Sequence, residues 1–458
     1  MKPGLIAGTL VLALAASGCG GATRSDAGRT SGSSRRSRPV LKAPGPPANA
    51  APSPARLGGR AVARVIPGNP AVPVRLAGAC STAVSQQRRL TGVANVSASI
   101  PGSPFGVVVA PAGDLAFVSV TQRPSIAVLT GFPQAPKVVR RIGLAASATP
   151  LGLDLTPNGR YLLAASDSGA AVLSVARAER EDGNAELGSL YVPGGPGVTG
   201  PADGAIEVIT SRDGRYAFVS LESSGQIAVF NLAAALAGGM HTPHLVGMIR
   251  LGVAPVGMAV SPDGRWLYAT SEIGGPRGRA GSAGQAGSGG RATSGQGTVS
   301  VIDVARAERV PGRSVVASAP AGCQPVRITT SRDGEVLWIT ARASDELLAF
   351  SAAKLRQGAS DALLAAVRTG EAPVGLEVVD GGRLIVVADS NRFAVRRTGT
   401  GLTVVSTAAM LSSRPSIVGE LGAGLFPREM SATPDGRTLL VTDFGSGQVQ
   451  AVSVAGLP

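Results

Sequence analysis

The stretch Ser261-Pro262-Asp263-Gly264-Arg265-Trp266-Leu267-Tyr268-Ala269-Thr270 decides how this chain is read. Pro262 presets φ for the second position of a type I turn, and Asp263 suits the third. Gly264 can take the left-handed conformation that lets the chain reverse. Trp266 and Tyr268 then alternate with Leu267 and Ala269, which is strand periodicity. Upstream, Pro255 and Gly257 open the apolar run Met258-Ala259-Val260. The unit is Pro-x-Gly, strand, turn, strand.

Sliding that unit along the chain finds seven copies, with turn glycines at Gly113, Gly159, Gly214, Gly264, Gly334, Gly382 and Gly436. Nine residues before each stands Pro104, Pro150, Ala205, Pro255, Pro325, Pro373 or Pro427. Repeats of this period with β patterning predict an all-β, seven-bladed propeller with four-stranded blades. Each repeat continues into a third strand, such as Thr298-Val299-Ser300-Val301-Ile302-Asp303. Two then enter near-identical helical pieces, Val175 to Arg180 and Val304 to Arg309. The last repeat ends at its third strand, while Val93 to Ile100 is an orphan strand ahead of the first. Pairing these two closes the ring and removes an exposed edge.

Of 458 residues, 44% are apolar and only 3% aromatic, enough for a buried core of small, closely packed strands. The formal net charge of +14 invites a nucleic-acid reading, but its location argues against one. Residues 20–79 hold ten Lys/Arg against the single Asp26. The remaining repeats are close to neutral, so no nucleic-acid partner is expected.

Lys2 followed by the apolar run Leu5 to Ala16 has the form of a secretory signal, too short to span a bilayer. It ends Ala16-Ser17-Gly18-Cys19, which resembles a bacterial lipobox. The resemblance implies a signal over 1–19, lipidation of Cys19 and anchoring to the outer side of the cytoplasmic membrane. Residues 20–79 read as a disordered basic tether and 80–458 as the propeller. Within it, 274–297 is a flexible Gly/Ser-rich insert. Export permits a Cys80–Cys323 disulfide, with two free buried thiols as the alternative.

In an antiparallel meander the Asp-Gly turns share one face, and the Pro-x-Gly segments share the other. Ligand chemistry is expected on the second face, around the channel. The Gly position of Pro-x-Gly is Gly106, Gly152, Glu207, Gly257, Arg327, Gly375 and Glu429. The ends of the second strands add Asp167, Glu222, Glu272, Arg342, Asp389, Asn391 and Asp443. This predicts a mostly acidic mouth with two arginines, suited to a cationic or polyhydroxyl ligand or to a hard cation. The alternative is that these charges are solvated or paired across water. His241 and His244 lack helical context and a third ligand, so no metal centre is expected. No cofactor motif is present, and a monomer is expected.

Segments such as Pro255-Val256-Gly257 with Ser261 to Tyr268 and Thr298 to Asp303 resemble the YVTN-type repeat of bacterial propellers. They also resemble the related lactonase family, which includes 6-phosphogluconolactonase. The resemblance covers about residues 93–458 and implies a seven-bladed fold. Three segments lean toward the lactonase branch: Phe218 to Glu222, Leu337 to Arg342, and Pro427-Arg428-Glu429-Met430. Where that family often shows Pro-Arg-His, this chain has Ala205-Ile206-Glu207, so no histidine enters the channel. The leading expectation is a binding or scaffold module for a small molecule or envelope protein. The alternative is hydrolysis of a sugar lactone, with Arg342 and Arg428 holding an anionic group. Glu222 or Glu207 would then activate water. Arg327, Asp389, Glu429 and Asp443 complete the candidate ligand contacts.

Overall fold

The computed structural model describes residues 80, 85, 87–144, 149–180, 184–194, 204–274, 296–392 and 401–458. The signal, Cys19, the basic tether and insert residues 275–295 lie outside the described residues.

The repeated turn forms as its side chains dictate. Gly264, at φ 72°, donates its N–H to the Ser261 carbonyl at 2.9 Å. Ser261 Oγ donates to Asp263 Oδ1 and accepts the Trp266 N–H at 3.0 Å. Asp263 Oδ1 also accepts the Arg265 N–H at 3.1 Å. The same hydroxyl latch joins Thr156 to Asn158, Ser211 to Asp213, Ser331 to Asp333 and Thr433 to Asp435. Blades 1 and 6 have Ala110 and Val379 at the hydroxyl position. In blade 6 a 3-10 turn, Asp380–Gly382, takes over, with Arg383 paired to Asp380.

Among the described residues the strands form seven four-stranded antiparallel sheets arranged as a β-propeller. Blades 1 to 7 begin at the axis with Pro104–Val109, Leu153–Leu155, Ala205–Thr210, Val253–Val260, Pro325–Thr330, Pro373–Val379 and Pro427–Ala432. Blade 2 departs from the uniform repeat, since its innermost strand has only three residues. The ring closes as the sequence implies: Asn95–Ser99 pairs with Gln448–Ser453, setting Val96 opposite Ala451. Short helices Val175–Ala178 and Val304–Ala307 are capped by Ser174 and Asp303.

Cores lie between neighbouring blades. Phe218, Ile227 and Val229 of blade 3 pack on Met258 and Leu267 of blade 4, for example. Near the axis a second device operates. Thr442 Oγ1 of blade 7 accepts the Glu429 N–H at 3.0 Å and donates to the Phe105 carbonyl of blade 1 at 2.8 Å. Ser119, Ser220, Thr270 and Thr340 bridge onward in the same way, to Leu151, Val256, Val326 and Val374. Each lies 13 residues after the Gly position of its own Pro-x-Gly segment. In blade 2, where Ala165 replaces the hydroxyl, Gly152 N–H donates directly to the Ile206 carbonyl at 2.9 Å. Blade 6 has Ala388 there, and Gly375 lets the Arg428 carbonyl approach.

Before the closing strand, an arm crosses onto other blades. Leu90 N–H donates to the Glu420 carbonyl at 2.8 Å, and Gln87 Nε2 to Thr403 Oγ1 at 2.8 Å. The arm reaches Cys80, which is disulfide-bonded to the buried Cys323 just ahead of blade 5.

Thr442→Val keeps the shape of the side chain but orphans the Glu429 N–H and the Phe105 carbonyl. It is expected to lower unfolding free energy by about 1–3 kcal/mol. Thr438→Val, at the Asp-Gly turn end of the same strand, should cost less, and denaturant midpoints of the two variants decide the ranking.

Candidate functional site

In every blade but the second the entry segment is a bulge, and this aims the axial side chains. The register shifts between Ala205 and Glu207, between Pro325 and Ile328, and between Pro427 and Met430. Blades 3, 5 and 7 thereby bring Glu207, Arg327 and Glu429 together across the channel. Arg327 Nε donates to Glu429 Oε1 at 2.8 Å and Oε2 at 3.1 Å, and Nη2 also reaches Oε1. Glu207 Oε2 stands 3.6 Å from the same Nε. Glycine at the other axial positions leaves room: a Cβ at Gly106 would come 2.6 Å from the Leu151 carbonyl.

This strut governs protonation. Burial pushes the Glu207 carboxyl up to about 8; Arg327 opposes that shift and Glu429 adds to it. Burial also works against the Arg327 charge, but Glu429 and Glu207 more than offset it, holding its pKa above the ordinary value. Two residues further along blades 2 and 6, on the same strand face, stand Asp154 and Glu377, which the sequence reading passed over. Burial raises Glu377 to about 8 and Asp154 to about 6, the latter held back by bonds from Thr210.

A second group lies beside the strut. Arg342 Nη2 donates to Glu272 Oε2 at 2.8 Å and to Gln324 Oε1 at 3.2 Å. Burial raises the Glu222 pKa, and repulsion from Glu272 raises it further against the pull of Arg342, Arg428 and Arg392. Arg428 stacks on Phe105, its Cζ 3.6 Å from the ring centroid. Phe426 and Phe444 complete the surround at 5.5 and 6.0 Å. Burial, then repulsion from Arg327, lowers the Arg428 pKa to about 9.

Asp389 and Asp443 do not join these groups. Both are buried within their sheets and turn toward the third strand. Asp389 Oδ2 accepts from Thr403 Oγ1 at 2.6 Å and Thr403 N–H at 3.1 Å, and Asp443 Oδ2 accepts from Gln448 Nε2 at 2.9 Å. Burial raises them to about 8 and about 7. With two carboxylates withdrawn and Glu207 and Glu429 tied to Arg327, the acids that remain stand among four arginines, Arg327, Arg342, Arg392 and Arg428. The two arginines expected at the repeat positions are thus joined by Arg428 and Arg392. Among the described residues no cluster of three or more His, Cys, Asp or Glu could hold a metal ion.

The sequence reading missed Phe105, Phe426, Phe444 and Arg392. One signal for the cage was available. The residue just before the axial position is apolar in six repeats (Phe105, Leu151, Ile206, Val256, Val326 and Val374) but is Arg428 in the seventh.

No protein-family model matches this chain, and no curated protein sequence matches it. Solved structures do. A chain of hydrazine synthase from Kuenenia stuttgartiensis superimposes with a TM-score of 0.56 at 16% identity, covering 80% of this chain and 99% of its own. A chain of the Mitotic Checkpoint Complex gives 0.57 at 12% identity, covering 84% and 99%. At such identities the likeness carries the fold alone.

Glu207, Glu377 and Asp389 have folded pKa values above the unfolded carboxylate value of about 4. The folded state therefore holds more protons than the unfolded one. Their contribution to stability is fully present below pH about 4 and is lost as pH rises toward about 8. Urea midpoints are expected to fall between pH 5 and 8.5, with a shallower fall in Asp389→Asn. A midpoint that rises over this range contradicts the assignment.

Proposed function

We propose that this chain is an exported, lipid-anchored propeller of YVTN type, acting as a binding or scaffold module at the outer side of the cytoplasmic membrane. The observation that carries export is the Cys80–Cys323 disulfide. Cytosolic thiols are kept reduced, whereas exported domains retain such bonds. The Ala16-Ser17-Gly18-Cys19 sequence supplies the matching anchor motif. The channel mouth supports binding rather than turnover. Glu207, Glu272 and Glu429 each face an arginine, and no histidine lies among the residues grouped there. The similar propellers come from a synthase and from a checkpoint complex, so the fold itself does not select a role.

One observation favours the lactone-hydrolase reading. Glu222 has a raised carboxyl pKa in the field of Arg342 and Arg428, which suits a general base.

Expressed in a bacterium, the full chain is expected in the membrane fraction, carrying labelled fatty acid. Cys19→Ala should release it in soluble, still disulfide-bonded form. Recovery of the wild type in the cytoplasm with reduced cysteines would overturn the proposal. A lactone screen with the same preparation separates the two roles, since turnover abolished by Glu222→Gln would establish the hydrolase.

A further inference from the structure

The seven residues that precede the axial positions form a ring of their own. Val256, Val326 and Val374 pack together, with Ile206 and Phe426 against them. Phe105 and Leu151 continue the apolar series, and their backbone carbonyls accept the hydroxyl bridges between blades. Only Arg428 breaks it. A guanidinium in an apolar ring is costly unless its N–H groups are used. Yet Arg428 Nε is buried with no hydrogen-bond acceptor. The nearest carboxylate oxygen, Glu429 Oε1, is 4.0 Å from it and already takes two nitrogens of Arg327. Stacking on Phe105 fixes the plane of the guanidinium and leaves its edge as the part able to bind. Phe426 also lies 5.5 Å from the Arg392 guanidinium, so two cations share one phenyl ring.

We infer that Arg428, with Phe105, Phe426 and Phe444, forms a subsite for a small monoanionic carboxylate carried on a flat apolar body. The carboxylate takes the guanidinium edge in a charge-assisted pair, and the apolar body lies against the half-buried Phe426 and Phe444, with Phe105 buried beneath the guanidinium as its platform. A dianion is disfavoured because Glu222, Glu272 and Glu429 surround the same cations. The inference rests on reading the mouth as a binding site, and it names the ligand class.

Benzoate serves as the probe, with benzyl alcohol as its neutral counterpart and inorganic phosphate as the compact anion. Calorimetric titration of the purified full chain is expected to show saturable benzoate binding, with benzyl alcohol and phosphate each weaker. Arg428→Met restores the apolar character of the other six positions. It should leave the thermal midpoint unchanged or higher while weakening benzoate at least about tenfold. Phe105→Ala should weaken benzoate while keeping its preference over benzyl alcohol. The subsite is overturned if benzoate does not bind the wild type, if phosphate binds more tightly, or if Arg428→Met binds benzoate as well as the wild type. A lowered midpoint in Arg428→Met without any anion binding by the wild type would make Arg428 purely structural. None of these results bears on membrane fractionation or lipidation, so this inference and the proposed cellular role fail separately.

Discussion

A hydroxyl shared between two blades is the contact on which the centre of this molecule depends. Seven sheets meeting at an axis bring backbone within touching distance of backbone, and a polar group caught there has no water to turn to. Thr442 answers both an N–H of its own blade and a carbonyl of the next. Ser119, Ser220, Thr270 and Thr340 do the same. Where alanine occupies the position, the chain compensates with glycine: Gly152 bonds the neighbouring carbonyl itself, and Gly375 allows a closer approach. The axial side chains are aimed by these junctions, so the geometry of the mouth follows from how the blades are joined.

The axial strut shows how a few charges are accommodated at such a place. Arg327 is almost fully buried, and a lone buried guanidinium would be strongly disfavoured. Glu429 grips it through both carboxylate oxygens, and Glu207 approaches from a third blade. Burial raises the proton affinity of Glu207, and its looser hold on Arg327 only partly opposes that. The strut and the caged Arg428 are adjacent yet differently satisfied, one by carboxylates and the other by aromatic faces.

Much of the architecture was legible because it is periodic. The Pro-x-Gly and Asp-Gly positions recur at a fixed offset, and the orphan strand Val93 to Ile100 had one vacant edge to fill; the structure pairs Asn95–Ser99 there. The hydroxyls 13 residues after each axial position were equally periodic, but serine and threonine in a strand carry no distinctive local signature. The site was legible only in part. Placing Glu207, Arg327 and Glu429 on the axis needs only the repeat. Knowing that Asp389 and Asp443 turn into their own sheets requires the partners Thr403 and Gln448, which lie on another strand. Phe426 and Phe444 escaped because they sit outside the strand pattern, next to segments whose periodicity drew the reading elsewhere.

The arm that precedes the closing strand also sets how the molecule would bear mechanical load. Tension applied anywhere upstream of Cys80 meets the Cys80–Cys323 bond before it meets Asn95–Ser99. The pull is therefore delivered covalently to the lead-in of blade 5, in the body of the ring. The hydrogen-bonded strand that fastens blade 7 is spared, although it would otherwise be the first element to peel away. A pull on the chain ahead of Cys80 therefore does not unzip the ring at its seam.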